Sequence, residues 1–455
     1  MKPEVAGMVI GKEKAKPKGW KRGILAAAVV LALIGIAAAI WNLYLQPAPP
    51  SEGIGSKPDM TNPLSEKPSI AVLPFKNLSG DQEQEYFSDG ITNDIITDLS
   101  KFSDLFVIAS NSVFIYKGKP VTAQKVNQEL GARYILEGSV QRGGEKARVN
   151  AQLIDATTGH HLWAERYERD LKDLFAVQNE IVQTIVATLA VKIDAEERAR
   201  AMRKDTESLE AYDYALRGWE YFWRASRSSN SQAQQMFEKA IELDPSYAAA
   251  YVGLGRTHLT LVGFGWTEFP NQALQRAQDL AQKALSLDET SAPAHVLLGA
   301  VYRFWMQYDL AIKEYERAIE LNPNDAKSYA ELGAILNYSG QTDKAIQALE
   351  TALRFNPHSW ESHLMQLGLA YYLKGRYNDS IWTLERGLSQ YPDNVFLHIP
   401  LAAAYAQAGR LQDAGRVAAT VRRLHPFFEV DNYGTAFINL VDRARIADGL
   451  REAGL

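Results

Sequence analysis

The sequence predicts a multi-domain chain: a single transmembrane helix, an α/β domain with a mixed sheet, and an all-α superhelix of paired helices. Three observations predict it. Residues 23–45 form one apolar run without a charged side chain. Between 67 and 196, strand-like and helix-like patterns first alternate and then strands run together. Beyond residue 210, Pro323, Pro357, Pro392 and Pro426 recur at spacings of 34, 35 and 34 residues. A chain of 455 residues exceeds one ordinary core, so several domains are the starting expectation.

The run GILAAAVVLALIGIAAAIWNLYL is long enough for a helix crossing the hydrocarbon core, which needs about 20 apolar residues. Trp20, Trp41 and Tyr44 lie near its ends, where amphipathic rings favour the interface. Lys12, Lys14, Lys16, Lys18, Lys21 and Arg22 precede it, and only Lys57 follows within 46–66. That bias puts a basic tail, 1–22, in the cytoplasm and everything after 46 outside the inner (plasma) membrane. A cleaved signal peptide has a shorter apolar region and an A-x-A-like site, which is missing after Trp41. Ala28/Ala32 and Gly35/Ala39 are small-residue pairs; a homodimer through the helix is one reading and plain filler the other. Residues 46–66 are rich in Pro, Gly, Ser and acids and read as a linker.

The net charge of −5 gives no basic excess for a nucleic-acid surface. With no cysteine, the chain has no disulfide, thiolate nucleophile or cysteine-ligated metal.

In the α/β domain, 67–196, SIAVLPF (69–75) and LFVIA (105–109) read as buried strands. Ile91, Ile95, Leu99 and Phe102 recur on one helical face, and 122–131 reads as a helix capped by Thr122 and stopped by Gly131. A hairpin with Gly143-Gly144 at its turn follows, then a strand at 160–170. A closing helix has the stripe Ile181, Ile185, Leu189 and Ile193. His160 and His161 are neighbours on a strand, so they point to opposite faces and form a poor metal pair. Asp89, Asp94 and Asp98 read as a solvated helix face rather than a metal cluster. Gly143-Gly144 has no helix start behind it to receive a phosphate.

IAVLPFKNLSGDQEQEYFSDGITNDIITDLSKF, ELGARYILEGSVQR and AQLIDATTGHHLWAERYERDLKDLFAVQNEI resemble the TolB-type amino-terminal domain across nearly all of 67–190. That resemblance implies an accessory extracytoplasmic module without catalytic residues.

The 34-residue period with terminal proline resembles the tetratricopeptide repeat over 211–426, about six units. Counting from Ala292, Leu298, Gly299, Tyr302, Ala311, Tyr315, Ala318 and Pro323 fall at positions 7, 8, 11, 20, 24, 27 and 32. The next unit supplies Leu332, Gly333, Leu336, Ala345, Leu349, Ala352 and Pro357, and two further units follow suit. Small residues at 8, 20 and 27 let helices approach, and large ones at 7, 11 and 24 fill the gaps. The second unit carries an insertion around VGFGWTEFP; Phe264, Trp266 and Phe269 either form an exposed aromatic loop or pack on the α/β domain. Residues 197–210 read as a connecting helix and 427–455 as a capping helix.

In this family, positions 2, 5, 9, 12 and 13 face the concave surface. The resemblance therefore assigns Arg303, Phe304, Asn337, Tyr338, Met365 and Tyr372 to a groove for a protein or peptide segment with apolar anchors. Structural filling of a tight groove is the plainer reading of each. The clamp positions of chaperone-tail repeats are mostly Ala here, which disfavours that ligand.

The order membrane helix, TolB-like domain and repeat array resembles the extracytoplasmic half of bacterial class III adenylate/guanylate cyclases. Their catalytic domain does not fit in 22 residues. The expectation is thus a non-catalytic sensor or scaffold, the regulatory part of a signalling system, with no catalytic residues, cofactor or metal. The alternative is the carboxy-terminal portion of a cyclase.

Overall fold

The computed structural model describes residues 67–192, 195–203, 205–358 and 361–455. The tail, membrane helix and linker expected over 1–66 lie outside them, as does Ile193. Among the described residues, no helix is long and apolar enough to cross a membrane.

Strand β1 (Ser69–Val72) is buried along its length, as a strand covered on both faces must be. After the two-residue β2 (Lys76–Asn77), helix α1 (Glu85–Ser100) crosses to β3 (Phe106–Val107), which pairs in parallel with β1. Helices α2 (Ser110–Phe114) and α3 (Ala123–Leu130) then cross back to β4 (Tyr134–Gly143), parallel to β1 on its other side. Thr122 caps α3 by accepting from the Lys125 N–H, and Gly131 ends it at φ 73°. β5 (Lys146–Asp155) and β6 (His160–Asp170) add antiparallel to give the order β3-β1-β4-β5-β6, with β2 beside β4. The sheet is mixed because crossovers build its first half and hairpins its second.

Its two faces differ as the alternation requires. Ala147, Val149, Ala151 and Leu153 turn inward beneath α1 and α4 (Leu174–Thr188), while Asn150 donates to Ser139 and Arg148 to Glu168 on the polar face.

A short helix, α5 (Ala195–Ala201), leads to six helix pairs: α6 (Leu209–Trp223) with α7 (Arg227–Leu243), α8 (Ala248–Gly263) with α9 (Pro270–Leu287), and α10 (Ala292–Phe304) with α11 (Tyr308–Leu321). The fourth to sixth are α12 (Ala326–Tyr338) with α13 (Thr342–Phe355), α14 (Glu361–Leu373) with α15 (Tyr377–Gln390), and α16 (Val395–Gln407) with α17 (Leu411–Leu424). Packing explains the repeated small residues. A Cβ on Gly333 would stand 2.5 Å from Leu349, and one on Gly368 2.5 Å from Leu384. In the sixth pair the large partner is replaced by Ala418, and the small residue is Ala402 rather than glycine. Between helices of a pair, Gly340, Gly375 and Gly409 hold φ of 80°, 79° and 74°. Met306 holds φ 57° at the corresponding point of the third pair, exposed and without glycine's freedom.

The α/β domain is docked along the edge formed by the turns that link one pair to the next. Thr206 donates to Asp244 after the first pair, and Arg203 to Thr290 after the second. After the third, Asn324 donates to the carbonyls of Ser100 (3.0 Å) and Phe102 (2.9 Å) and accepts from the Val107 N–H. After the fourth, the Phe355 carbonyl accepts from the Ala109 N–H (2.8 Å), its ring stacks on Phe106 at 4.6 Å, and Ser112 donates to Asn356. β3 is an edge strand of the sheet, and these turns cover that edge.

Two outcomes follow. Asn324→Ala strips partners from three buried backbone groups; urea denaturation should show a loss of about 2–4 kcal/mol. Met306→Gly should stabilise by about 0.5–1 kcal/mol in the same assay, because a left-handed backbone costs an L-residue roughly 1–2 kcal/mol and glycine's unfolded freedom returns part of it.

Candidate binding groove and domain interface

The first helices of successive pairs line the concave face, and the six residues assigned to it from sequence meet three different fates. Arg303 and Phe304, at the end of α10, are partly exposed. The Arg303 guanidinium lies 5.0 Å from the Phe304 ring centroid, with Nε 3.8 Å from the Glu331 carboxylate. Asn337 is fully buried and not a surface donor: its amide donates to the Gln366 carbonyl (2.9 Å) and side chain (3.2 Å), tying the fourth pair to the fifth. This corrects its placement on the groove surface; position 12 is turned into the seam by Gln366, which also donates to the Tyr338 hydroxyl at 2.7 Å.

Tyr338, Met365 and Tyr372 are covered by the chain's own carboxy-terminal segment. Phe437 stands edge-on to Tyr338 at 5.1 Å between centroids, and the Ile438 N–H donates to the Tyr338 carbonyl at 3.0 Å. Tyr308 donates to the Ala436 carbonyl at 2.7 Å. Helix α18 (Leu440–Glu452) then runs over α14 and α16; Tyr372 donates to its Arg445 carbonyl at 2.8 Å, and Gln407 to Glu452 at 2.8 Å. Met365 packs against the same cluster as Phe437, Ile446 and Leu450. Burying each of those three is worth roughly 1.5–3 kcal/mol relative to exposure. The helix expected to cap the end of the array therefore lies on its inner face, and only 440–452 of that segment is α-helical.

The first half of the concave face carries residues the sequence reading did not single out. Trp219 packs with Phe222 and Trp223, and Arg256 lies over the Trp219 ring at 5.5 Å. Burial holds Arg256 below its ordinary value, opposed by the charges of Asp325 and Glu331. Aligning Gly218 and Gly255 with Gly299, across insertions that break the 34-residue spacing, would have found them. Phe264 and Phe269 are exposed and Trp266 stacks on Phe264, so the insertion is an aromatic loop away from the α/β domain. An open hollow of about 540 Å³ lies between Gln407 and the Leu440, Val441, Arg445 and Asp448 side of α18.

The acids of α1 are not the solvated face expected. Asp89 pairs with Lys117. Asp94 accepts from Tyr212 (2.5 Å) and Gln178 (3.0 Å), and Asp98 pairs with Lys101 at 2.8 Å. The reason is that α6 lies on α1: a Cβ on Gly90 would meet Leu216 at 2.5 Å. Burial pushes Asp94 up to about 7, against the lowering effect of the Tyr212 hydroxyl. His160 and His161 are exposed on β6, and among the described residues no cluster of His or acids is arranged to hold a metal.

Profiles for the tetratricopeptide repeat match residues 292–325, 314–347 and 335–395, so the paired helices are tetratricopeptide repeats. A profile described as the second domain of HilA/YgeH-like transcriptional regulators matches 65–184, the α/β domain. Putative adenylate cyclase 3 of Rhizobium meliloti (strain 1021) is 54% identical over 197 residues, covering 43% of this chain and 34% of that protein. The chain thus spans about a third of the length of this curated relative. Among solved structures, Pseudomonas aeruginosa PilF is similar at 19% identity and a TM-score of 0.40, over 48% of this chain and 93% of that one. The Cut9–Hcn1 assembly is similar at 17% identity and a TM-score of 0.43, over 62% of this chain and 53% of that one.

Asp94 sets a pH dependence. Its folded value lies above its unfolded one, so its contribution is fully present below about pH 4 and is lost as pH rises towards 7. Asp94→Asn keeps the acceptor without the charge. It should melt higher than the wild type at pH 8, with the gap narrowed at pH 5 and closed by pH 4, in scanning calorimetry at the three values.

Proposed function

We propose that this chain is a protein-binding sensor or scaffold, anchored in the membrane by residues 23–45, in which the tetratricopeptide groove docks a segment of another protein. The carrying observation is the open half of the concave face: Trp219, Trp223, Arg303 and Phe304 present rings and a cation, with Arg256 packed beneath the Trp219 ring. Aromatic and arginine side chains in such a setting are the usual anchors of a protein interface. The TolB-type resemblance of 67–190 supports an accessory α/β module beside that groove, in the regulatory part of a signalling system.

A second reading is the carboxy-terminal portion of an adenylate cyclase. The 54% identity to a protein named putative adenylate cyclase 3 favours it.

The test uses the full chain as bait in membranes, beside a Trp223→Ala/Phe304→Ala variant with the same melting temperature. Reproducible capture of a protein by the wild type, reduced at least tenfold in the variant, is the expected result. Equal capture by both would remove the groove from the reading. A cyclase domain encoded in frame upstream of Met1 would instead favour the cyclase reading.

A further inference from the structure

The carboxy-terminal segment makes contacts of an unusual kind for the last helix of a solenoid. A terminal helix ordinarily packs on the flank of the final repeat. Here α18 lies across the first helices of the fifth and sixth pairs, and the turn before it, closed by the Phe437 N–H on the Gly434 carbonyl, reaches the third and fourth. The run Ala436–Asn439 is held through its backbone: the Ala436 carbonyl by Tyr308 and the Ile438 N–H by Tyr338. One side chain, Phe437, is inserted, while Ile438 remains 61% exposed, Leu440 74% and Val441 65%. Asn439 then caps a helix by accepting from the Val441 N–H, and the helix seats Ile446 and Leu450. The segment is joined to α17 by irregular chain in which Gly434 takes φ 83°.

This is how a groove holds a ligand rather than how a core holds its own element: backbone bonds, one aromatic anchor, a capped amphipathic helix, and several large apolar residues left outside. We propose that residues 434–452 are an intramolecular ligand of the groove. The face they cover, from Tyr308 and Tyr338 to Met365 and Tyr372, is the docking surface for a partner segment of the same chemistry. That chemistry is an aromatic residue closing a turn, followed within a few residues by a helix capped by Asn, Ser or Asp with aliphatic residues on one side. The partner and the segment exclude each other, so docking requires release of the segment. The inference rests on the reading of the groove as a protein-binding surface and adds which part binds, what it recognises and what holds it shut.

The chain's lack of cysteine makes the test clean. A Cβ on Gly340 would lie 3.4 Å from that of Asn439, near the roughly 3.8 Å spacing of a disulfide, so Gly340→Cys/Asn439→Cys gives a lock that reduction opens. A second variant, Phe437→Ala/Ile446→Ala, loosens the segment without touching the groove. The probe is a fluorescein-labelled synthetic peptide of residues 432–455, titrated into the full-length chain by fluorescence anisotropy.

The oxidised lock should bind no peptide and on reduction bind at least as tightly as wild type, since the Asn439 cap is also lost, and the loosened variant should bind at least tenfold more tightly than wild type. Equal binding by locked, reduced and loosened chains would overturn the proposal. So would a loosened variant whose whole array loses its helical circular-dichroism signal at room temperature, since the segment would then be part of the core. A protein captured equally by oxidised and reduced lock would also overturn it, while leaving the groove reading intact. Capture of nothing by any form would sink the groove reading instead, and the peptide titration would still decide whether the segment is releasable.

Discussion

The structure depends on how the free edge of a sheet is satisfied. β3 is two residues long and outermost, so its unpaired backbone needs partners or water. Asn324 and the Phe355 carbonyl supply them from two successive inter-repeat turns. A single asparagine holds three backbone groups of the α/β domain, two carbonyls and one N–H, so the domain cannot slide along the array without leaving several polar groups buried and unpaired. The same turns close the helices of the repeats, which means that register within the superhelix and docking of the domain are fixed by the same few residues. Asp213 strengthens the arrangement from the first pair, accepting from Tyr86 and Arg142 of the α/β domain.

Within the array, complementarity of volume replaces hydrogen bonding as the organising constraint. Gly333 faces Leu349 and Gly368 faces Leu384 at distances that no added methyl group could occupy. Where the large residue shrinks to Ala418, alanine takes the glycine's place as Ala402. The rule is thus a sum of two volumes and not the identity of either residue. The concave surface is what remains after that seam is filled, and Asn337 shows how narrow the margin is: a residue at a groove position is drawn wholly into the seam by Gln366.

Much of this was legible in the sequence because the determinants are periodic. The small and large positions recur in phase across four units, Thr122 and Gly131 mark both ends of their helix, and the hairpin strands alternate. The rest was hidden for identifiable reasons. Asn324 and Asn356 stand in turns where asparagine is expected on local grounds, so their second role towards the α/β domain leaves no separate mark. Asp94 and Asp98 flank the Ile91–Ile95–Leu99 stripe, and helical periodicity cannot tell a margin open to water from one covered by a second layer such as α6. The ending IADGLREAGL announces a helix but not the surface it chooses, because Ile446 and Leu450 would fit the flank of the last repeat as readily as its inner face.

The two clasps overlap along the array. The α/β domain and its connector grip the turns after the first four pairs, and the carboxy-terminal segment spans the third to the sixth. In a plain solenoid each unit touches only its neighbours and can fray from either end. Here the middle pairs are held along one margin by one clasp and on the inner face by the other, so neither terminus can peel away alone. Loss of order would have to begin with detachment of a clasp, turning a linear chain of weakly linked units into one nearly all-or-none body.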